Sequence, residues 1–223
     1  MQAVILAAGK GTRMGELTRD TPKPLLEVGG KSILEHDLEA MPDEIDEVVL
    51  VVGYMGDKIK EKFGDKFGNI KITYVEQKEL RGTADALWAC KNLLKDRFLV
   101  FYGDDIYAKE DLEKLTKEPL AILVWEAKVD EPSDRTAALI KMDQSGQLAD
   151  IIERQSVTAG TLINTGAYVL DTKIFDYEIV SAGTPANEFG LPQTFLQMVK
   201  AGRKMSVIKA TQLKRLVTPE DLK

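Results

Sequence analysis

Two clusters in this chain have the residue types and spacing to handle phosphate. In the first, the apolar run AVILAA breaks into Gly9-Lys10-Gly11-Thr12-Arg13. Glycines let the backbone approach a ligand, successive N–H groups cradle phosphate oxygens, and an arginine such as Arg13 adds a planar donor fork. In the second, RFLVFY runs into Gly103-Asp104-Asp105. Carboxylates beside a phosphate site suit Mg²⁺, which binds through one or two carboxylates together with substrate phosphates. Lys23, between Pro22 and Pro24, is a cation fixed in place near the same mouth. Gln77 offers a side-chain amide for a base edge, and Gly82-Thr83 opens the next helix with a glycine against which a flat ring can lie.

Two familiar phosphate motifs are excluded. The dinucleotide fingerprint G-x-G-x-x-G fails because Met14 holds the third glycine position. The G-x-x-x-x-G-K-[ST] loop fails because Leu25 stands where Gly30-Lys31-Ser32 needs its first glycine. Each cluster also has a plainer reading: GKGTR as a solvated turn, the aspartates as loop caps, Gln77 as a surface amide, Lys23 as a solvated charge. His36 falls on a helix without evident partners and reads as structural, and Cys90 reads as a core residue of its helix.

The elements that must position these groups follow from hydrophobic periodicity. Strands are predicted at 3–8, 48–53, 70–75 and 97–102, with helices over 32–41, 57–63 and 83–95 between them. Ser32 and Glu35 have capping-box spacing. This β-α-β-α order predicts a Rossmann-like, mostly parallel sheet with helices on both faces. The second half changes rhythm. Strands at 121–129, 138–142, 148–152 and 162–170, a turn at Asp143-Gln144-Ser145-Gly146, a helix over 192–201 and a short strand near MSVIKA predict a smaller, more antiparallel part. In an open parallel sheet, ligands bind beyond the carboxyl ends of the strands, and that is where the polar clusters fall.

Composition narrows the classes. A chain of 223 residues with 44 % hydrophobic and 30 % charged residues has the balance of a globular protein and can bury a large core. A net charge of −6 removes any general attraction to nucleic acid or to anionic membrane. One cysteine excludes an internal disulfide, and no apolar run approaches the roughly 18 residues of a membrane span. The expectation is a cytoplasmic protein.

Taken together, the motifs carry a resemblance. LAAGKGTRM followed by TPKPLLEVGGKSILEH is similar to the opening signature of the sugar-1-phosphate nucleotidylyltransferases. VEQKELRGTADAL resembles that family's nucleobase segment, YGDDIY its metal-binding turn, LADIIERQ its acceptor-side glutamate strand, INTGAYV its Asn-Thr-Gly strand and TPEDL its closing helix start. The resemblance implies one nucleotidyltransferase domain over 1–223, with a nucleotide-binding part at 1–110 and an acceptor-binding part at 111–223. It implies that Leu6, Ala8, Gly9, Gly11, Thr12, Gln77, Gly82 and Thr83 surround a nucleoside triphosphate. Arg13 and Lys23 would be catalytic, and Asp104 would hold Mg²⁺. Glu153, Arg154 and Asn164 would bind a sugar 1-phosphate. The glutamine spacing implies UTP or dTTP. No nucleic acid or membrane partner is expected, and a homo-oligomer is left open.

The departures from the family cluster on the acceptor side. Glu153-Arg154-Gln155 replaces Glu-Lys-Pro, Ala138 stands near an expected glycine, and Gln193 stands where a Thr-Asp pair would end. Arg215 occupies the place of an aspartate that would be a second metal ligand, and the acceptor phosphate is its expected contact. Two alternatives therefore stand beside a sugar nucleotidylyltransferase. One is a cytidylyltransferase for a phosphorylated alcohol such as phosphocholine or an inositol phosphate. The other is a non-catalytic nucleotide-sugar-binding regulatory protein.

Overall fold

The computed structural model describes residues 1–132, 135–183 and 187–223. One ten-stranded sheet runs through both halves of the chain. Its strands are β1 (Gln2–Ala7), β2 (Glu47–Val52), β3 (Lys66–Phe67), β4 (Ile70–Glu76), β5 (Arg97–Tyr102), β6 (Ala121–Glu126), β7 (Thr136–Met142), β8 (Leu148–Ser156), β9 (Leu162–Asp171) and β10 (Ser206–Lys209). The spatial order is β8-β7-β9-β5-β1-β2-β4-β3, with β6 pairing β9 and β10. Around β1 the pairings with β2 and β5 are parallel, as is β2 with β4. β9 joins β5 antiparallel, so the second half enters the same sheet rather than forming a separate one.

The central strands are apolar on both faces because both are covered. Val4 and Leu6 belong to one buried layer, with Leu87 of α3 (Thr83–Trp88) and Phe195 of α5 (Leu191–Lys200). Ala3, Ile5 and Ala7 point the other way. They join a layer with Leu34 of α1 (Ile33–Glu39), Ile59 of α2 (Gly56–Phe63) and Leu112 of α4 (Lys109–Thr116). The Ser32–Glu35 capping box forms at the start of α1 as its spacing predicts. His36 is not without a partner: its Nε2 donates to the Val28 carbonyl at 2.8 Å, tying α1 to the turn before it. Cys90 is buried, and burial pushes its thiol up to about 12.

The strand predicted at 121–129 ends at Glu126, and two helices differ from expectation. The helix predicted over 83–95 ends at Trp88, and the chain continues in tighter turns, with Cys90 N bonding Leu87 O and Leu93 N bonding Cys90 O. Helix α4 was hidden by its charge. Its buried Asp111 accepts hydrogen bonds from the backbone and hydroxyl of Thr211, 100 residues away.

Asp37 on α1 is 0 % exposed, and neither carboxylate oxygen has a hydrogen-bond partner among the described residues. Burial, reinforced by Asp105 and Asp104, raises its pKa well above the ordinary carboxylate value. The folded protein therefore holds a proton that the unfolded chain releases above pH ~3.9. Stability falls as pH rises from there until the folded group itself ionises. Asp37→Asn removes this dependence. Its stability advantage over the parent in urea melts is expected to widen as pH rises above about 4, by up to about 1.4 kcal/mol per pH unit. A gap that stays flat above that pH would show the carboxyl is ionised in the fold.

Candidate functional site

The cleft lies where β1, β4 and β5 end, and each turn there is pinned by backbone hydrogen bonds. Gly103 N donates to Leu6 O, Gln77 N to Val52 O and Tyr54 N to Ala8 O, at 2.8–3.1 Å. The glycine-rich loop turns through Gly11, whose φ of +64° is left-handed. A Cβ there would sit 2.8 Å from Lys23 Cβ, so the missing side chain is what lets the lysine stem pass beneath the loop. Thr18 Oγ1 donates to the carbonyls of Gly11 and Gly15, closing the turn from below.

Lys23 opens a short 3-10 turn, Lys23–Leu25, entered from an extended Pro22. It is 7 % exposed, and its Nζ meets Asp104 Oδ2 at 2.9 Å. Arg13 is exposed at the loop's end, and among the described residues it pairs with no carboxylate. Arg13, Lys23 and Asp104 border two adjoining cavities, of about 520 Å³ and about 340 Å³. The convergence expected from the sequence is therefore present.

The larger cavity is lined by Leu6, Ala8, Gly9, Gly11, Thr12, Gln77, Gly82 and Thr83, the whole expected nucleotide set. Gly82 has φ +94°, and a Cβ would lie 2.5 Å from Phe189 O. Only glycine lets the start of α3 press against the segment that leads into α5, where Thr83 Oγ1 accepts from Leu191 N at 2.9 Å.

The smaller cavity is lined by Glu153, Arg154, Asn164 and Arg215 among others. Between the register pairs Ala137–Gln155 and Leu139–Ile152, two residues of β8 stand opposite Ala138. Arg154 is left-handed there at φ +55°, a bulge that redirects Glu153 into the cavity. Gln193 Nε2 donates to Glu153 Oε1 at 2.8 Å, and burial raises the Glu153 pKa. Asn164 is engaged at both ends: its Nδ2 donates to Tyr168 Oη at 2.7 Å and its Oδ1 accepts from Gly166 N at 3.0 Å. Tyr168 Oη in turn donates to Tyr102 Oη at 3.3 Å.

Arg215 faces the same space but is already paired with Glu131. It is delivered there because Leu213–Lys214 pairs with Ile106–Tyr107 and Leu216 N donates to Asp105 Oδ1 at 2.8 Å. Burial and the neighbouring Asp104 push the Asp105 carboxyl up to about 7. Sequence reasoning missed Tyr102 at the junction of the two cavities, the Glu131 partner and the buried Asp37. Only Tyr102, the last residue of β5 before Gly103, had a positional signal.

A model of the nucleotidyl transferase family matches residues 2–211. The chain belongs to that family. The transferase is 38 % identical over 177 residues to the bifunctional protein GlmU of Methanocaldococcus jannaschii, covering 79 % of this chain and 41 % of that protein. It is 33 % identical over 215 residues to the UTP–glucose-1-phosphate uridylyltransferase AglF of Haloferax volcanii, covering 94 % of this chain and 88 % of that one. The chain thus spans less than half of the GlmU relative but most of AglF. In fold, the transferase matches a solved UDP-glucose pyrophosphorylase complexed with UDP-glucose, with a TM-score of 0.80 at 19 % identity, covering 99 % of this chain and 95 % of that one. The expected α/β architecture, with a mostly parallel central sheet between helices, is therefore the fold observed. Among the described residues, no helix is long and apolar enough to cross a membrane.

Proposed function

We propose that this transferase moves a nucleotidyl group from UTP or dTTP to a sugar 1-phosphate, releasing pyrophosphate and leaving an NDP-sugar. The observation that carries this reading is the convergence of Arg13, Lys23 and Asp104 on the seam between the two cavities. A nucleotide in one and a phosphorylated acceptor in the other would meet there. An oxygen of the acceptor phosphate attacks the α-phosphorus in line, and pyrophosphate departs. The attacking phosphate is already anionic, so no protein nucleophile is required. The work is to bring two anions together and hold the charge of the pentavalent centre.

The chain's own groups divide that work. The amides of Gly9 to Thr12 and the Arg13 guanidinium hold the leaving pyrophosphate. Lys23, buried and directed by Asp104, holds the α-phosphate and the incoming oxygen. Gln77 and Gly82 read the base. Glu153 and Asn164 hold acceptor hydroxyls, with Arg154 and Arg215 on the acceptor phosphate. For Arg215, that contact requires the phosphate to compete with Glu131.

The donor set fits a single divalent ion. Asp104 bonds Lys23 through one oxygen, and Asp105 spends an oxygen on Leu216 N. Among the described residues, no three acidic, histidine or cysteine side chains converge as a complete metal site. One carboxylate oxygen completed by substrate phosphates matches what Mg²⁺ accepts. Held by Asp104, Mg²⁺ would supply positive charge that neutralises the charge developing on the phosphoryl oxygens.

The test is pyrophosphate release from a panel of UTP, dTTP, CTP, GTP and ATP against sugar 1-phosphates, phosphocholine and inositol phosphates. Turnover confined to UTP or dTTP with a sugar 1-phosphate is the expected result. CTP with an alcohol phosphate would replace this reading with the cytidylyl one. Tight UDP-sugar binding with no turnover for any pair would replace it with a sensor.

A further inference from the structure

Gln77 is 6 % exposed, and its amide is not free to choose which end it presents. Nε2 donates to Gly82 O at 3.0 Å and to Asp85 Oδ2 at 3.0 Å. Both partners are pure acceptors, so the NH₂ group must face them whatever orientation a side-chain amide would otherwise adopt. Asp85 is itself fixed, since its other oxygen takes a 2.7 Å bond from Arg81 Nη2 one turn before it on the chain. Arg81 is held in turn by Glu79 and lies over the ring of Phe189. With both amide hydrogens directed inward, the group left for the cavity is the Gln77 carbonyl oxygen.

We infer that Asp85, which does not line the cavity, is a positioning residue that sets Gln77 as a hydrogen-bond acceptor and thereby selects a base carrying N3–H. The inference rests on the reading that Gln77 contacts the base. An acceptor fixed at that point suits the N3–H of uracil or thymine. It repels the bare N3 of cytosine, which an amide free to turn would accommodate. A site built around one polarity rejects the wrong partner because its buried group is then left unpaired.

The arrangement makes an unusual prediction for a nearly isosteric change. In Asp85→Asn, Arg81 can only donate, so it retains the side-chain oxygen. The new NH₂ then faces Gln77 and favours its carbonyl, while Gly82 O still takes its NH₂, so the two partners compete and the amide is no longer held in one orientation. Dissociation constants for UTP and for CTP, measured by calorimetry without any acceptor, read this directly. The parent is expected to bind UTP more tightly. Asp85→Asn is expected to lower the CTP-to-UTP ratio of dissociation constants several-fold toward one, and Gln77→Ala to bring that ratio near one.

A merely structural Asp85 would weaken both nucleotides alike and leave the ratio at its parent value, which overturns the inference while Gln77→Ala still removes the preference. If Gln77→Ala keeps the parent ratio, the base-reading role of Gln77 fails, and the inference falls with it. A parent that prefers CTP also overturns it. Should Asp85→Asn fold poorly, amide exchange in the parent decides the matter. Both Gln77 Nε2 hydrogens should exchange far more slowly than those of an exposed glutamine, and exchange at the exposed rate contradicts the lock.

Discussion

Lys23→Met is expected to lower kcat by about 10²–10³-fold at saturating nucleotide while the protein stays folded. The magnitude is that of losing one preorganised charge at the point where charge develops in the transition state. The lysine stem threads beneath Gly11, and methionine fills a similar path, so the loop that holds the triphosphate keeps its support. Asp104 loses its ion partner, but its side chain is 39 % exposed and stays hydrated. The unpaired carboxylate should therefore cost little stability, and a melting temperature within a few degrees of the parent is expected. Steady-state kinetics and thermal unfolding on one preparation separate the two effects. Loss of activity together with loss of fold would mean that Lys23 is a strut and not a participant.

Asp104→Ala is expected to reduce turnover by about 10³-fold, because Lewis-acid stabilisation of phosphoryl oxygens is worth several kcal/mol and each 1.4 kcal/mol is tenfold. At fixed nucleotide, the Mg²⁺ concentration giving half-maximal rate should also rise. Asp105 is a poor replacement, since one of its oxygens caps Leu216 N and its burial disfavours the charged form. Pyrophosphate release that persists near the parent rate, with an unchanged Mg²⁺ response, would remove the metal from Asp104. The pair of variants is informative because Lys23 and Asp104 bond each other. If both act only through that ion pair, the double variant should be no slower than either single one.

Much of the site was legible because its parts follow strands. Parallel strands covered on both faces leave continuous apolar runs, and each run here stops where the chain must turn at the sheet's edge. Gly9–Arg13 after β1, Gln77 after β4 and Gly103–Asp105 after β5 could therefore be set side by side before any distance was known. The capping box at Ser32–Glu35 was equally visible, since its bonds close within three residues.

What the sequence did not reveal depends on long-range satisfaction. Asp111 looks like an exposed helical acid until Thr211 arrives to bond it. Glu131 gives no hint of Arg215 across 84 positions. The overlong helix from Thr83 has a different cause. Leu87, Cys90 and Leu94 are all buried as their spacing suggests, but past Trp88 the turns close by three residues. Apolar periodicity reports which residues are buried, and it is weaker on the hydrogen-bond pattern that buries them. The acceptor side shows the same limit. Gln193 differs from the family's pattern, yet only the structure shows it bonding Glu153, which keeps that pattern.

The most direct measurement of the central claim is a crystal structure with UTP and Mg²⁺ bound. The account predicts the triphosphate against the amides of Gly9 to Thr12, with Arg13 and Lys23 within hydrogen-bonding distance of its oxygens and the uracil edge at Gln77. A triphosphate seated elsewhere, such as the open hollow beside Lys91, Lys95 and Phe175, with Lys23 and Asp104 still closed on each other, would contradict it.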